Sequence, residues 1–523
     1  MATPSFTKTH RRTRTHVIHK PRGVVHPRVQ NVGPEHFGVV SVDCAKARSK
    51  WMLANFYGQV LVPPTVVEHN QTGFAAALRN LRDAIDRHAL KDLIVAVERT
   101  GRYHQPVQHA FAKASYEVRI VHPFATKQFR QAADPGNKTD DTDLSAIHRA
   151  AVNGFGLREH EPDPLYVRIQ LLARHRRDLV EKSVTLRNQI GEQLHAMMPG
   201  YAQCFADVFD GPAPLWVARE FGSAAAVLQA GPSGLMRRLR EAGIHAYAPT
   251  SEKIVAWART APAVQGTASI YQHILLESDD DRLSKLRRIR TVEGELAGLL
   301  VQTPYVLLLG APGINVVSAA EFAGEMGPIT RYAKARAITG RAGLFPARHQ
   351  SDQVDRKDGA LIRSANRELR QAIMRIADNL SVCNDHFRVL AAGWRLAGKD
   401  PRNIRVKIAG RFCRIAYQMV AGRAVYRHPC CQQRHYVIGK LIKFYNEHDI
   451  PVEQIMPDLD AATAQLPRSE HRVEAAPLAE ELARAQTKRG AGPRRLCEIL
   501  PAVLAKLGVG LVRSPESGET DPT

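Results

Sequence analysis

The stretch Asn137-Lys138-Thr139-Asp140-Asp141-Thr142-Asp143-Leu144 crowds acids together in a chain otherwise short of them. If a helix starts at Thr139 or Asp140, Asp140 and Asp143 stand i, i+3 on one face and Asp141 points elsewhere. Two carboxylates on one face repel, and a helix gains from the pair only when a cation sits between them. A divalent metal held by oxygen is one physical reason to keep such a pair. The other is a helix start, where Thr and Asp cap free amides and acids complement the dipole. Two more acids close apolar runs: Asp43 after Phe37-Gly38-Val39-Val40-Ser41-Val42, and Glu98 after Leu93-Ile94-Val95-Ala96-Val97. Each alone is an ordinary strand end. In the order Asp43, Glu98, Asp140, Asp143 they form four carboxylates able to converge on one or two Mg2+ ions, or Mn2+, and polarise a scissile phosphate.

Periodicity gives the elements that would position them. Residues 37–43 read as a buried strand, 51–55 and 60–67 as the next two, and 93–98 and 116–121 as further strands. Residues 74–88 form an amphipathic helix with Phe74, Leu78, Leu81 and Ile85 on one face, and 104–114 a second. Three antiparallel-looking strands, then alternating helix and strand, describe an α/β RNase H-like (RuvC-like) domain over 37–160. In such a sheet the ends of the first and fourth strands are neighbours, and a later helix packs across them.

The chain has 523 residues, with 73 Lys and Arg against 51 Asp and Glu, a formal charge of +22. That excess implies a polyanionic partner, DNA or RNA above all. No run of eighteen apolar residues exists, so no membrane span is expected. The charged N-terminus is followed by no apolar core, which argues against a secretory signal. Seven scattered cysteines fit a reducing compartment, so a cytoplasmic, nucleoid-associated bacterial protein is expected. Cys430 and Cys431 lie between His428 and His435, but adjacent cysteines lack the C-x2-C spacing of zinc sites.

Residues 1–36 carry seven Lys or Arg and a single acid, and read as a disordered basic arm. Residues 161–303 read as a helical, coiled-coil-like spacer. Its helix over 165–198 has heptad-spaced Leu165, Ile169, Leu172, Leu179, Leu186 and Ile190, and a second near 283–299 returns antiparallel. Between them, Pro212, Pro214, Gly231 and Pro232 mark a less regular segment, and Asp279-Asp280-Asp281 a solvated helix start. A mainly α domain follows over 304–400, with Pro312-Gly313-Ile314 as a helix-hairpin-helix-like turn. Then come a basic helical extension, 401–465, and a loosely ordered tail, 466–523.

These motifs carry a family resemblance. Val42-Asp43, Glu98-Arg99-Thr100-Gly101-Arg102-Tyr103-His104, Val121-His122-Pro123 and Lys138-Thr139-Asp140-x-x-Asp143 occur in order. So do Pro312-Gly313-Ile314, Ala342-Gly343-Leu344-Phe345-Pro346, Ser351 and Asn366-Arg367-Glu368-Leu369-Arg370. The set resembles the DEDD-type insertion-sequence transposases, which join a RuvC-like domain to a serine-bearing one. The resemblance covers 37–156 and 304–380. It implies that Asp43, Glu98, Asp140 and Asp143 are the catalytic, metal-binding tetrad and Ser351 the nucleophile that links covalently to DNA. Lys138, Arg348, Arg356, Lys357, Arg367 and Arg370 would contact nucleic acid. A non-coding bridge RNA would supply sequence specificity by pairing. A homo-oligomer, dimer or tetramer, is also expected, with the coiled-coil-like helices as a contact. The chain departs at Leu144 (usually Ala), Asp352 and Ala365 (each usually Gly). Other readings are a metal-dependent nuclease or junction resolvase using the acids only, and a non-catalytic nucleic-acid-binding relative.

Overall fold

The computed structural model describes residues 21–467 except 160–161, 246, 265, 267, 348, 352–353, 357–358, 363–364 and 432–434, together with 480–481. The chain divides into two compact units, 1–161 and 162–523.

The first unit opens with a short helix, α1 (His26–Val32), ahead of a six-stranded mixed sheet. Strands β1 (Phe37–Cys44), β2 (Arg48–Asn55) and β3 (Val60–Glu68) form an antiparallel meander. After helix α2 (Gln71–Arg87), β4 (Asp92–Glu98) returns parallel to β1. Helix α3 (His104–Lys113) then leads to β5 (Val118–Val121), parallel to β4. Helices α4 (Pro123–Ala133) and α5 (Asp140–Val152) precede the edge strand β6 (Gly156–Arg158). The order across the sheet is β3-β2-β1-β4-β5-β6.

The sheet is apolar on both faces, as expected for parallel strands covered by helices on each side. Val40, Val42, Val95 and Val97 pack with Leu81 and Ala84 of α2 and Val107 and Phe111 of α3. Phe37, Val39, Ile94 and Ala96 pack on the other face with Ala125 of α4 and Ile147, Ala150 and Ala151 of α5. Period-two alternation therefore puts residues 37, 39, 41 and 43 of β1, and 94, 96 and 98 of β4, on the α5 side. Burying Ile147 there is worth about 2 kcal/mol by transfer alone. Residues 21–36 depart from the expected arm. Val25 and Val29 are buried in this second core, and Arg28 binds Asp92 (2.5 Å) and Glu117 (3.0 Å). Two valines spaced i, i+4 give the basic stretch an apolar stripe that outweighs its charge.

Among the described residues the second unit is helical apart from one hairpin and its connecting loops. Helix α6 (Pro164–Met197) is followed by α7 (Ala213–Phe221), α8 (Ala224–Glu241), α9 (Ala248–Thr260) and α10 (Ala268–Leu300). Then come α11 (Val316–Met326), α12 (Ala335–Ala342) and the hairpin β7 (His349–Ser351) and β8 (Val354–Arg356). Helices α13 (Arg367–Cys383), α14 (Asp385–Leu396), α15 (Pro401–Ala421), α16 (Val437–Glu447) and α17 (Val452–Gln465) complete it.

Helices α6 and α10 pair along their lengths and serve two cores. Tyr166, Ile169 and Ala173 of α6 join Val292, Leu296 and Leu300 of α10 in a large core filled by α11 to α17. At the other end Ile190, Leu194 and Met197 meet Leu275 in a smaller core closed by α7, α8 and α9. The segment expected to be irregular is thus three helices with their own interior. Gly231 (φ 64°, ψ 177°) interrupts α8 with a kink between two helical stretches, and Val227, Leu235 and Leu239 are buried on either side of it. The Asp279-Asp280-Asp281 run is not a helix start either. It lies within α10, with Asp279 buried between Arg219 (2.8 Å) and Arg282 (2.6 Å).

Among the described residues no single helix is long and apolar enough to cross a membrane.

Candidate functional site

Asp43 and Glu98 lie side by side because β1 and β4 are parallel and in register through Val42 and Val97. Both acids follow those residues at the same sheet end, and alternation turns both toward α5. Their side chains are half-buried.

Helix α5 starts where the sequence suggested. Thr139 is its N-cap, accepting from the Thr142 amide (3.2 Å), while the Thr142 hydroxyl accepts from the Thr139 amide (2.9 Å). This reciprocal cap fixes the first turn, so Asp140 and Asp143 share a face. Capping and the acid pair are therefore compatible, one performed by threonines and the other by aspartates. Asp140 is exposed and Asp143 buried, its carboxylate bonded to Arg130 of α4. Asp141 pairs with Lys50 of β2 (2.6 Å), itself opposite Asp43 in the β1–β2 register, so it stands beside the other acids with its charge already met. Lys138 is exposed just before the cap.

Electrostatics ties the four acids together. Burial pushes the Asp43 carboxyl above its ordinary pKa, and the charges of Asp143 and Asp140 push it further, with Lys138 opposing. Glu98 is raised by burial first, then by Asp43 and Asp143, with Arg130 opposing. Among the described residues neither Asp43 nor Glu98 has an ion-pair partner. A dication would relieve the repulsion that raises both, and four carboxylates are the donor set of Mg2+ or Mn2+. The residues fit such an ion by charge and chemistry. As the side chains stand, no three of the acids bring ligand atoms within 4.8 Å of one another.

In the second unit, β7 and β8 pair in register His349–Arg356, Gln350–Asp355 and Ser351–Val354, which places Ser351 at the turn end of the hairpin. Arg356 ends β8, while Arg348 and Lys357 lie outside the described residues. The hairpin neck is closed by a bridge between Pro346 and Leu361 and by the Ala347 amide on the Ala360 carbonyl (2.9 Å).

Asn366 and Arg370 of α13 hold this neck. Asn366 caps α13 through the Leu369 amide (3.0 Å), donates its own amide to the Arg341 carbonyl (2.9 Å), and donates its side-chain NH2 to Glu325 (3.1 Å). Arg370 donates to the Ala342 carbonyl (2.8 Å) and to the Ile362 carbonyl, one on each side of the hairpin. Expected to contact nucleic acid, its guanidinium is directed at backbone instead. Arg367, at the first position of α13, is exposed. Glu368 binds Arg177 of α6. Sequence spacing gave no sign of the Arg370 clamp, because its acceptors are backbone carbonyls, which carry no residue signature.

The Pro312–Ile314 turn is anchored in the same way. Half-buried Lys440 of α16 donates to the Ala311 (2.8 Å) and Ile314 (2.9 Å) carbonyls, and loss of solvent lowers its pKa to about 8. Helix α11 after the turn is buried on nearly every side.

Two family models match the chain in order. One, described as a DEDD transposase of the IS110 type, covers residues 40–199; the other, described as transposase IS116/IS110/IS902 family, covers 305–391. A protein of Streptomyces coelicolor, the insertion element IS110 uncharacterized 43.6 kDa protein, is 25% identical over 305 residues. That match spans 57% of this chain and 75% of the relative. The chain belongs to the IS110/IS116/IS902 transposase family.

Proposed function

We propose that this transposase cuts and rejoins DNA with two sets of groups: Asp43, Glu98, Asp140 and Asp143 as ligands for Mg2+ or Mn2+, and Ser351 as nucleophile. The single observation that carries it is the placement of Asp43 and Glu98 side by side, without ion-pair partners among the described residues and both raised in pKa, against the α5 start that bears Asp140 and Asp143. The sheet order β3-β2-β1-β4-β5 supports an RNase H-like reading of the unit. The helix-hairpin-helix-like reading rests only on the Pro312–Ile314 turn.

When bound, the divalent ion polarises the scissile phosphate and stabilises the departing oxygen. The Ser351 hydroxyl then attacks phosphorus. A Ser351 Oγ–P bond forms, one P–O bond of the DNA backbone breaks, and the serine proton passes to the departing DNA oxygen. Attack on the phosphoserine by another DNA hydroxyl reverses these steps and rejoins strands. Lys138, Arg356 and Arg367 hold phosphates, together with Arg348 and Lys357; Arg370 acts through the hairpin neck. A charge of +22 suits duplex DNA and a non-coding bridge RNA whose pairing selects the sites. The acids of one protomer serve the serine of another in a homo-oligomer.

The test is adduct trapping on end-labelled DNA. Wild type gives a covalent protein–DNA species that Ser351→Ala lacks, with strand transfer reduced by about 10³-fold or more. Full cleavage by Ser351→Ala would establish the acids-only nuclease instead. Mixing Ser351→Ala with Asp43→Asn restores strand transfer if the two sets act across protomers.

A further inference from the structure

We propose that His386, His428 and Cys430 form a binding site for a thiophilic divalent cation of the Zn2+ type, distinct in donor chemistry from the acid cluster. One ligand atom from each lies within 4.8 Å of the others, the only such His, Cys, Asp or Glu triad among the described residues. The two imidazoles have centroids 3.7 Å apart and planes at 32°. Zn2+ with bonds of about 2.0–2.3 Å in a tetrahedron sets its donors roughly 3.3–3.8 Å apart, so small side-chain rotations bring this triad onto one ion. Two nitrogens and a thiolate are the donors Zn2+ selects and Mg2+ avoids.

The backbone around the triad is already docked. His386 is the second residue of α14, whose N-cap is the fully buried Asn384. Residues 422–436 link α15 to α16, and two of their side chains reach that same Asn384. Tyr426 donates its hydroxyl to the Asn384 Oδ1 (3.2 Å), and the Cys431 thiol lies 3.5 Å from the same atom. The adjacent cysteines therefore divide their work: Cys431 fastens the linker to the helix start, and Cys430 faces the histidine pair. Spacing rules for zinc missed the site because the third ligand, His386, is forty-four residues upstream of Cys430.

Loading the ion is balanced by proton release. The Cys430 thiol gives its proton to solvent, and each ring offers its unprotonated nitrogen. In His428 that nitrogen is Nδ1, which now accepts the Cys430 amide (3.2 Å), so this bond is exchanged for the metal bond. Arg411, near enough to lower the pKa of His386, opposes the incoming charge, and the thiolate offsets it. Exposed Cys430 leaves the fourth position to water. Bound metal pins the linker to α14.

Co2+ titration of the full-length chain tests the site. One equivalent should develop thiolate-to-cobalt charge-transfer and tetrahedral d–d bands. Cys430→Ser and His386→Asn should each lose the charge-transfer band, which oxygen ligands cannot give, while Asp43→Asn keeps it. As a check independent of folding, Zn2+ should slow alkylation of Cys430 in wild type but not that of exposed Cys383. A cobalt spectrum with oxygen donors only, or unchanged binding in Cys430→Ser, overturns the proposal, as does equal alkylation of Cys430 with and without Zn2+.

Discussion

Carboxylates withdrawn from solvent stand in different circumstances in the two units, Asp143 with its Arg130 partner aside. In the helical unit, Glu293, Glu321, Glu325 and Asp279 are each less than a tenth exposed, and each meets a cationic side chain. Glu325 accepts from Arg174, Gln170 and Asn366; Glu321 pairs with Arg375; Glu293 takes Arg176 and His448. In the sheet unit, Asp43 and Glu98 face each other and the α5 acids, with pKa values driven up. A buried charge that is paired holds a fold together. Half-buried charges that face one another cost stability, a cost that the cation of the proposed site would offset.

Neutralising the sheet acids tests the contrast most strongly. Asp43→Asn and Glu98→Gln should each reduce strand cleavage by at least about 10²-fold. Both should raise the cation-free melting temperature, because repulsion is removed. A lower melting temperature would erase the distinction between the units. In the helical unit the opposite holds: Glu325→Ala should cost about 2 kcal/mol by urea unfolding, since Arg174, Gln170 and Asn366 lose their acceptor. That figure allows for an Arg174 side chain 42% exposed. An unchanged urea midpoint would show that Glu325 contributes no more than a surface acid.

Acidity sharpens the comparison further. The folded chain binds protons at Asp43 and Glu98 above the unfolded carboxylate range of about 4, so these groups oppose folding at neutral pH. That penalty shrinks as pH falls through the raised folded values and vanishes below the unfolded range. Without divalent ions, the melting-temperature gap between wild type and the Asp43→Asn/Glu98→Gln double variant should close on acidification from pH 7 to about 4. A gap that widens would reverse the assigned sign. The smallest effect belongs to Arg370→Ala, which should cost about 1 kcal/mol and speed amide exchange at Ala347 and Ile362, the two neck amides. Protected exchange there would show that the neck stands without its clamp.

Legibility followed the range of each interaction. Asp43 and Glu98 could be found because an apolar run ending in an acid is local, and period-two alternation decides their shared face. The α5 start was readable from Thr139 and its neighbours alone. Partners distant in sequence were not. Arg219 lies sixty residues from the aspartate it neutralises in α10, and Arg28 sixty-four from Asp92. The same distance effect hid His386 from Cys430. The helices between α6 and α10 were obscured by Gly231-Pro232, a pair that breaks α8 at a kink while both of its stretches stay packed in one interior.

The α6–α10 pair has a mechanical consequence. At 34 residues α6 measures about 50 Å, the rise of roughly fifteen base pairs of duplex. Its two ends are seated in separate interiors, so it behaves as a lever. A tilt of about 10° at the root would carry the far end through about 9 Å.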